Sequence, residues 1–172
     1  LTIEVVTTSD PNTKHAPSPI DRLDSSGGRF AIVAARFNAR IVDRLIAGAV
    51  AAFERTGTPA ARVPVVRVPG AFELPLAVAR LARSGNYDGI VALGCVIRGE
   101  TPHFDHVARV AADGLERVAV ETGVPVGFGV LTTETVAQAW ARAGGDSGEF
   151  EANRGGDAAL AAIEMARLFG ES

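Results

Sequence analysis

Four short apolar runs, each separated from the next by a stretch of helical period, constrain this chain more than any other feature. They are Phe30–Ala35, Val63–Val68, Gly89–Leu93 and Val124–Leu131. Each is close to continuously apolar, so each needs cover on both faces. After the first run, Ile41, Val42, Leu45, Ile46, Ala49, Val50 and Phe53 fall on one face of a helix. Asn38 is its expected N-cap and Gly57 its stop. The spacing predicts further helices from Pro75 to Ser84, His103 to Thr122, Thr135 to Ala143 and Arg154 to Phe169. Parallel strands need crossover connections, which helices usually supply. The pattern therefore predicts an α/β protein, a flavodoxin-like three-layer sandwich with a four-stranded parallel sheet flanked by helices.

Ahead of the first run the chain changes character. Residues 7–28 are rich in Pro, Ser, Asp and Gly and hold little apolar material, so residues 1–28 read as an N-terminal arm and 29–172 as the α/β domain. Within the arm, Thr2-Ile3-Glu4-Val5-Val6 is β-prone and suited to pairing with a sheet edge, including that of a neighbouring subunit.

Composition removes several function classes. A formal charge of −3, with arginines scattered along the chain, gives no electrostatic case for nucleic acid. No apolar run approaches the roughly 20 residues a membrane-spanning helix needs, and the first 28 residues lack a secretory pattern. A cytoplasmic location with no membrane partner is the expectation. Cys95 is the only cysteine, which rules out an intrachain disulfide and a cysteine-based zinc site. It reads as a small buried hydrophobe.

In parallel sheets ligands bind beyond the carboxyl ends of the strands. Chemistry-bearing residues cluster at those ends here: Arg36-Phe37-Asn38, Pro69-Gly70-Ala71-Phe72-Glu73, Arg98 to His103, and Thr132-Thr133-Glu134. The third cluster is the most informative. Gly99 permits close backbone approach, and the N–H groups of Glu100 and Thr101 face the positive pole of a helix, so phosphate is the natural guest. His103 opens that helix and can give or accept a proton near neutrality; equally, it can be a capping histidine with a solvated tip. His106 completes a His-x-x-His pair, but no third metal ligand lies near in sequence.

Other residues have two readings each. Phe37 can stack on a planar heterocycle or lid the core. Glu73 can accept hydrogen bonds from a polyhydroxylated chain or sit solvated near a helix start. Phe128 fits the core on spacing alone, and Arg142 and Arg154 are either surface charges or anion clamps. Neither the P-loop nor the dinucleotide fingerprint is present.

Taken together, Arg36-Phe37-Asn38, Val68 to Pro75, Gly94 to Asp105, Gly127 to Glu134 and Ala162-Ile163-Glu164-Met165-Ala166 resemble, in order and spacing, the lumazine synthase family of riboflavin biosynthesis. The resemblance covers about residues 29–170. It implies condensation of 5-amino-6-(D-ribitylamino)uracil with 3,4-dihydroxy-2-butanone 4-phosphate to 6,7-dimethyl-8-ribityllumazine, phosphate and water, with no metal and no organic cofactor. By that resemblance Phe37 stacks on the pyrimidinedione, Ala71, Phe72 and Glu73 hold the ribityl chain, and the backbone of Cys95, Val96 and Ile97 meets the ring's polar edge. Glu100 and Thr101 bind the butanone phosphate through main-chain N–H groups with Arg142 as charged partner, and His103 transfers protons. Phe128 reaches the ring from the adjacent subunit.

The chain departs from the family pattern twice. Asn153-Arg154-Gly155 stands where the family often has Asn-Lys-Gly, exchanging an ammonium for a planar fork at a pyrimidine-site position. The segment 144–152 is also longer than its usual counterpart. Family members form homopentamers, and in some cases an icosahedral shell of sixty chains; the longer segment favours the pentamer. Riboflavin synthase is a candidate partner by the same resemblance. Two rivals stand beside this reading: a catalytically idle lumazine or flavin carrier, and a flavodoxin-like electron carrier.

Overall fold

The first apolar run forms strand β1 (Phe30–Ala35), buried at all six positions. It lies between two parallel neighbours, which is why the run contains no polar residue. The computed structural model describes residues 23–146 and 152–170. Helix α1 (Ala39–Arg55) follows, then β2 (Val65–Val68), α2 (Leu74–Ala82), β3 (Gly89–Ile97), α3 (His103–Thr122), β4 (Val126–Thr133), α4 (Val136–Arg142) and α5 (Arg154–Gly170). The sheet runs β2-β1-β3-β4 with every pairing parallel. Strand order reverses between β1 and β3, the crevice where such sheets bind ligands. The predicted α/β sandwich is the observed one.

Successive side chains of a strand face opposite sides, so the sheet builds two cores. Phe30, Ile32 and Ala34 join Val91, Leu93 and Leu131 beneath α1, α4 and α5. Val33, Ile90, Ala92 and Val130 pack with Leu74, Val78 and Leu115 beneath α2 and α3. Phe53 and Leu45 are completely buried, each contributing about 1.5–3 kcal/mol by leaving water. Helix α5 lies directly on β4, because a Cβ on Gly127 would collide with the carbonyl of Ala158.

Element ends differ from the sequence pattern where pairing decides them. The third run was expected to end at Leu93, yet β3 continues to Ile97 because β4 accompanies it to Thr133. The second run begins two residues late, after a 3-10 turn at Ala60–Arg62. Gly57 stops α1 with a φ of 100° as expected. Asn38 stands at the N-cap position but makes no side-chain cap; its side chain is engaged elsewhere, as described below.

The last part of the expected arm is docked onto the domain. Ser25 is buried, and its hydroxyl meets those of Thr56 at 2.8 Å and Thr58 at 2.7 Å. The β-prone stretch Thr2–Val6 and the rest of 1–22 lie outside the described residues, as do 147–151 of the lengthened segment.

Candidate active site

β3 outruns β1 at its carboxyl end. Its ladder with β1 stops at Ala34–Leu93, while that with β4 runs on to Ile97–Thr133. Past Leu93, β3 therefore has no strand on its β1 side, the side to which the backbone groups of Cys95 and Ile97 point. A groove of about 680 Å³ occupies that opening.

One wall comes from the turn after β1. Asn38 adopts left-handed backbone angles, φ 57° and ψ 41°, which asparagine tolerates better than most residues. Its side-chain amide donates to the carbonyl of Cys95 at 2.9 Å, and the Phe37 N–H donates to Pro69 at 3.1 Å. These bonds hold Phe37 over the groove, and the residue is 72% exposed. A lid over the core would be buried, so the lid reading fails.

The opposite wall comes from the turn after β2. Ala71 is buried, Phe72 is exposed, and the Glu73 carboxylate accepts the Gly70 N–H at 2.8 Å. That bond anchors Glu73 beside the groove and leaves lone pairs of the carboxylate for a ligand. Cys95 lies at the floor, where burial pushes its thiol up to about 11. It is a neutral hydrophobe near pH 7, as its strand context suggested.

The rim is the loop between β3 and α3. Thr101 and His103 line the groove, together with Phe104 and Val107 of α3. Glu100 is exposed in the same loop but does not line it. No hydrogen bond among the described residues engages the backbone N–H groups of Gly99, Glu100 or Thr101. They add to the unpaired donors of the helix start, the arrangement that favours an anion. The His103 imidazole is exposed and makes no intramolecular hydrogen bond among the described residues. Phe104 and Val107 escaped the sequence reading; Val107, four residues on from His103, shares its face of α3, whereas the spacing of Phe104 gives no such signal.

Phe128, Arg142 and Arg154 do not line this groove. They border a second cleft of about 310 Å³ on the outer side of β4, with Thr132 and Asp157. Phe128 is 48% exposed there, so the core position suggested by its spacing is not what it takes. β4 is an edge strand, and its open side faces away from the groove. Asn153 ties the end of α4 to the start of α5, the helices that carry the two arginines. Asn153 is buried, donating to the carbonyls of Arg44 at 2.9 Å and Ala143 at 3.0 Å and accepting the Gly155 N–H at 2.9 Å. Arg44 also donates to the carbonyls of Ala143 and Gly145. Arg154 pairs with Asp157 at 2.7 Å, whereas among the described residues Arg142 donates only to the Gln138 carbonyl at 3.1 Å.

A family model described as 6,7-dimethyl-8-ribityllumazine synthase matches residues 27–170. The chain belongs to the 6,7-dimethyl-8-ribityllumazine synthase family. Relatives bearing that name agree. One from Nitratidesulfovibrio vulgaris strain DP4 is 52% identical over 147 residues, covering 86% of this chain and 92% of its own. Another, from strain DSM 19637 / Miyazaki F, is 49% identical over 154 residues, 90% of this chain and 96% of its own. A third, from Desulfotalea psychrophila, is 51% identical over 146 residues, 85% and 92% of the two chains. As a member of the lumazine synthase family, the protein is an enzyme of riboflavin biosynthesis that forms dimethylribityllumazine. The idle-carrier and electron-carrier readings are not favoured.

Among the described residues no three metal-ligating side chains converge, His103 and His106 included. None of the helices described is long and apolar enough to cross a membrane.

Proposed function

We propose that the catalytic site is composite: the groove of one copy is closed by the outer cleft of the next. The observation that carries this reading is the separation of His103 and Phe37 from Arg142, Arg154 and Phe128 within a single chain. Each half lacks what the other has. The groove offers stacking, backbone edges and a proton carrier but no unpaired cation in its lining; the cleft offers cations and an exposed ring.

In this arrangement Phe37 stacks on the pyrimidinedione of 5-amino-6-(D-ribitylamino)uracil, and the open edge at Cys95–Ile97 reads its polar rim. Ala71, Phe72 and Glu73 hold the ribityl chain. The N–H groups of Glu100 and Thr101 take the phosphate of 3,4-dihydroxy-2-butanone 4-phosphate, and Arg142 of the adjoining copy neutralises it. Phe128 and Arg154 of that copy cover the ring. The primary amine adds to the ketone carbon, whose oxygen leaves as water to give an imine. Loss of the proton from the hydroxyl-bearing carbon expels phosphate from the terminal carbon, and the resulting enol becomes a methyl ketone. The ribitylamino nitrogen adds to that new carbonyl, whose oxygen leaves as a second water and closes the ring, with His103 moving the protons. Much of the acceleration is orientation, worth up to about 7–11 kcal/mol in ideal cases; proton transfer adds about 10²–10⁴-fold.

A heterologous contact repeated around an axis closes into a ring, and the pentamer is the closed form we assign. Light scattering should give about five times the 17.8 kDa chain mass, not sixty times. A cytoplasmic location fits these substrates, with riboflavin synthase as the consumer of the product. The division at residue 28 separates the arm from this catalytic domain. The deciding experiment mixes the protein with both substrates and follows lumazine absorbance, with phosphate-free butanone as control. Absorbance from the phosphate ester alone is expected; none with either ketone would refute the reading.

A further inference from the structure

We propose that Arg98 is a positioning residue for this reaction, clasping Asp105 and Glu134 so as to hold the shape of the 99–102 loop and the place of His103. Its guanidinium uses both edges. Nε reaches the two Glu134 oxygens at 3.0 and 2.8 Å, while NH1 and NH2 each meet an Asp105 oxygen at 3.2 Å. The Phe104 ring centre lies 4.2 Å from Cζ, close enough for a cation–π contact.

The backbone of Arg98 is fixed in the sheet, since its N–H donates to Thr133 at 2.9 Å. Glu134 is fixed too, its N–H donating to the Gln138 side chain at the start of α4. From this anchored base the side chain reaches across to Asp105, two residues past His103. The chain between has almost nothing else to hold it. A Cβ on Gly99 would meet no atom within 4 Å, and residues 99–103 are all exposed. Gly99 adds conformational freedom. A loop with few contacts takes its geometry from its ends, and Arg98 joins both ends.

The three side chains are 39–59% exposed, so their ion pairs add little to global stability. Their value lies in preorganisation, which acts on binding and orientation instead. Arg98 touches neither substrate in this account. The inference rests on the reading of 99–101 as the phosphate site and of His103 as the proton carrier.

The test is steady-state kinetics on the full chain, varying each substrate in turn. Arg98→Met should raise KM for the butanone phosphate about tenfold and lower kcat several-fold, with KM for the pyrimidine within about twofold and the melting temperature nearly unchanged. Arg98→Lys should keep the defect, because a point charge cannot grip two carboxylates as a fork does. Asp105→Asn, which leaves the Glu134 pair intact, should show a smaller shift of the same kind, and the Arg98→Met/Asp105→Asn double variant should be no worse than Arg98→Met. An unmoved KM for the phosphate substrate, equal shifts in both KM values, or full rescue by lysine overturns the clasp. A wild-type protein that makes no lumazine refutes the underlying site reading instead.

Discussion

The side-chain amide of Asn38 donates to the carbonyl of Cys95 across 2.9 Å, joining the turn after β1 to the open edge of β3. One bond thus ties the turn carrying Phe37, the ring proposed to stack on the substrate, to the backbone proposed to read the same heterocycle. Asn38→Ala should lose it and also bear the cost of left-handed angles, together about 2 kcal/mol. Asn38→Gly loses only the bond and should be milder, about 1 kcal/mol. Denaturant melts give the order. Both variants should raise KM for the pyrimidine more than KM for the phosphate substrate.

The composite site predicts complementation. His103→Ala damages only the groove and Arg142→Ala only the cleft. Co-expressed in equal amounts, they should leave about one interface in four with both halves intact. Activity of the mixed assembly should therefore exceed that of either parent. A mixture no better than the parents would place the whole site within one chain.

The two residues should also fail differently. His103→Ala should lower kcat about a hundredfold without abolishing turnover, because orientation survives the loss of the proton carrier. Arg142→Ala should mainly raise KM for the butanone phosphate, by about tenfold or more for a lost charge-assisted bond. Substrate-saturation curves for both variants separate these outcomes, and a fully active His103→Ala enzyme would remove the proton-transfer assignment.

Cys95 supplies a pH signature. Burial raises its thiol to about 11 in the folded protein, above its ordinary value of 9.0. As pH climbs past the unfolded value the unfolded chain releases this proton while the folded one keeps it, so stability falls with rising pH. The contribution is fully present below about pH 9 and is lost toward about pH 11. Guanidinium melts across that window should show a steeper decline for wild type than for Cys95→Ala. Equal slopes would contradict the shift.

Much of this was legible in one dimension because both main patterns are local. The continuous apolar runs dictate strands covered on two faces, and the rule for parallel sheets points to Phe37, Glu73 and His103 at their carboxyl ends. The β3 boundary was not legible, since Gly94–Ile97 remains extended through a partner that lies more than thirty residues away in sequence. Asn38 takes the N-cap position its type suggests, but its amide bonds the Cys95 carbonyl and caps nothing, because only the folded chain brings the two together. Val107 could have been found from His103 by its helical spacing, whereas Phe104, one position on, turns to the groove only through the packing of α3.

The sequence by itself determined the order of elements, the two-sided core and the chemical kinds gathered at the strand ends, because periodicity and residue type act over a few neighbouring positions. It also carried the family resemblance. Tertiary structure alone decided which of those residues share a cavity. Strand order β2-β1-β3-β4 sets β4 at an edge and sends Phe128, Arg142 and Arg154 outward, while it draws Phe37, Glu73 and His103 around the break between β1 and β3. That partition arises from long-range pairing, whose partners no local pattern specifies.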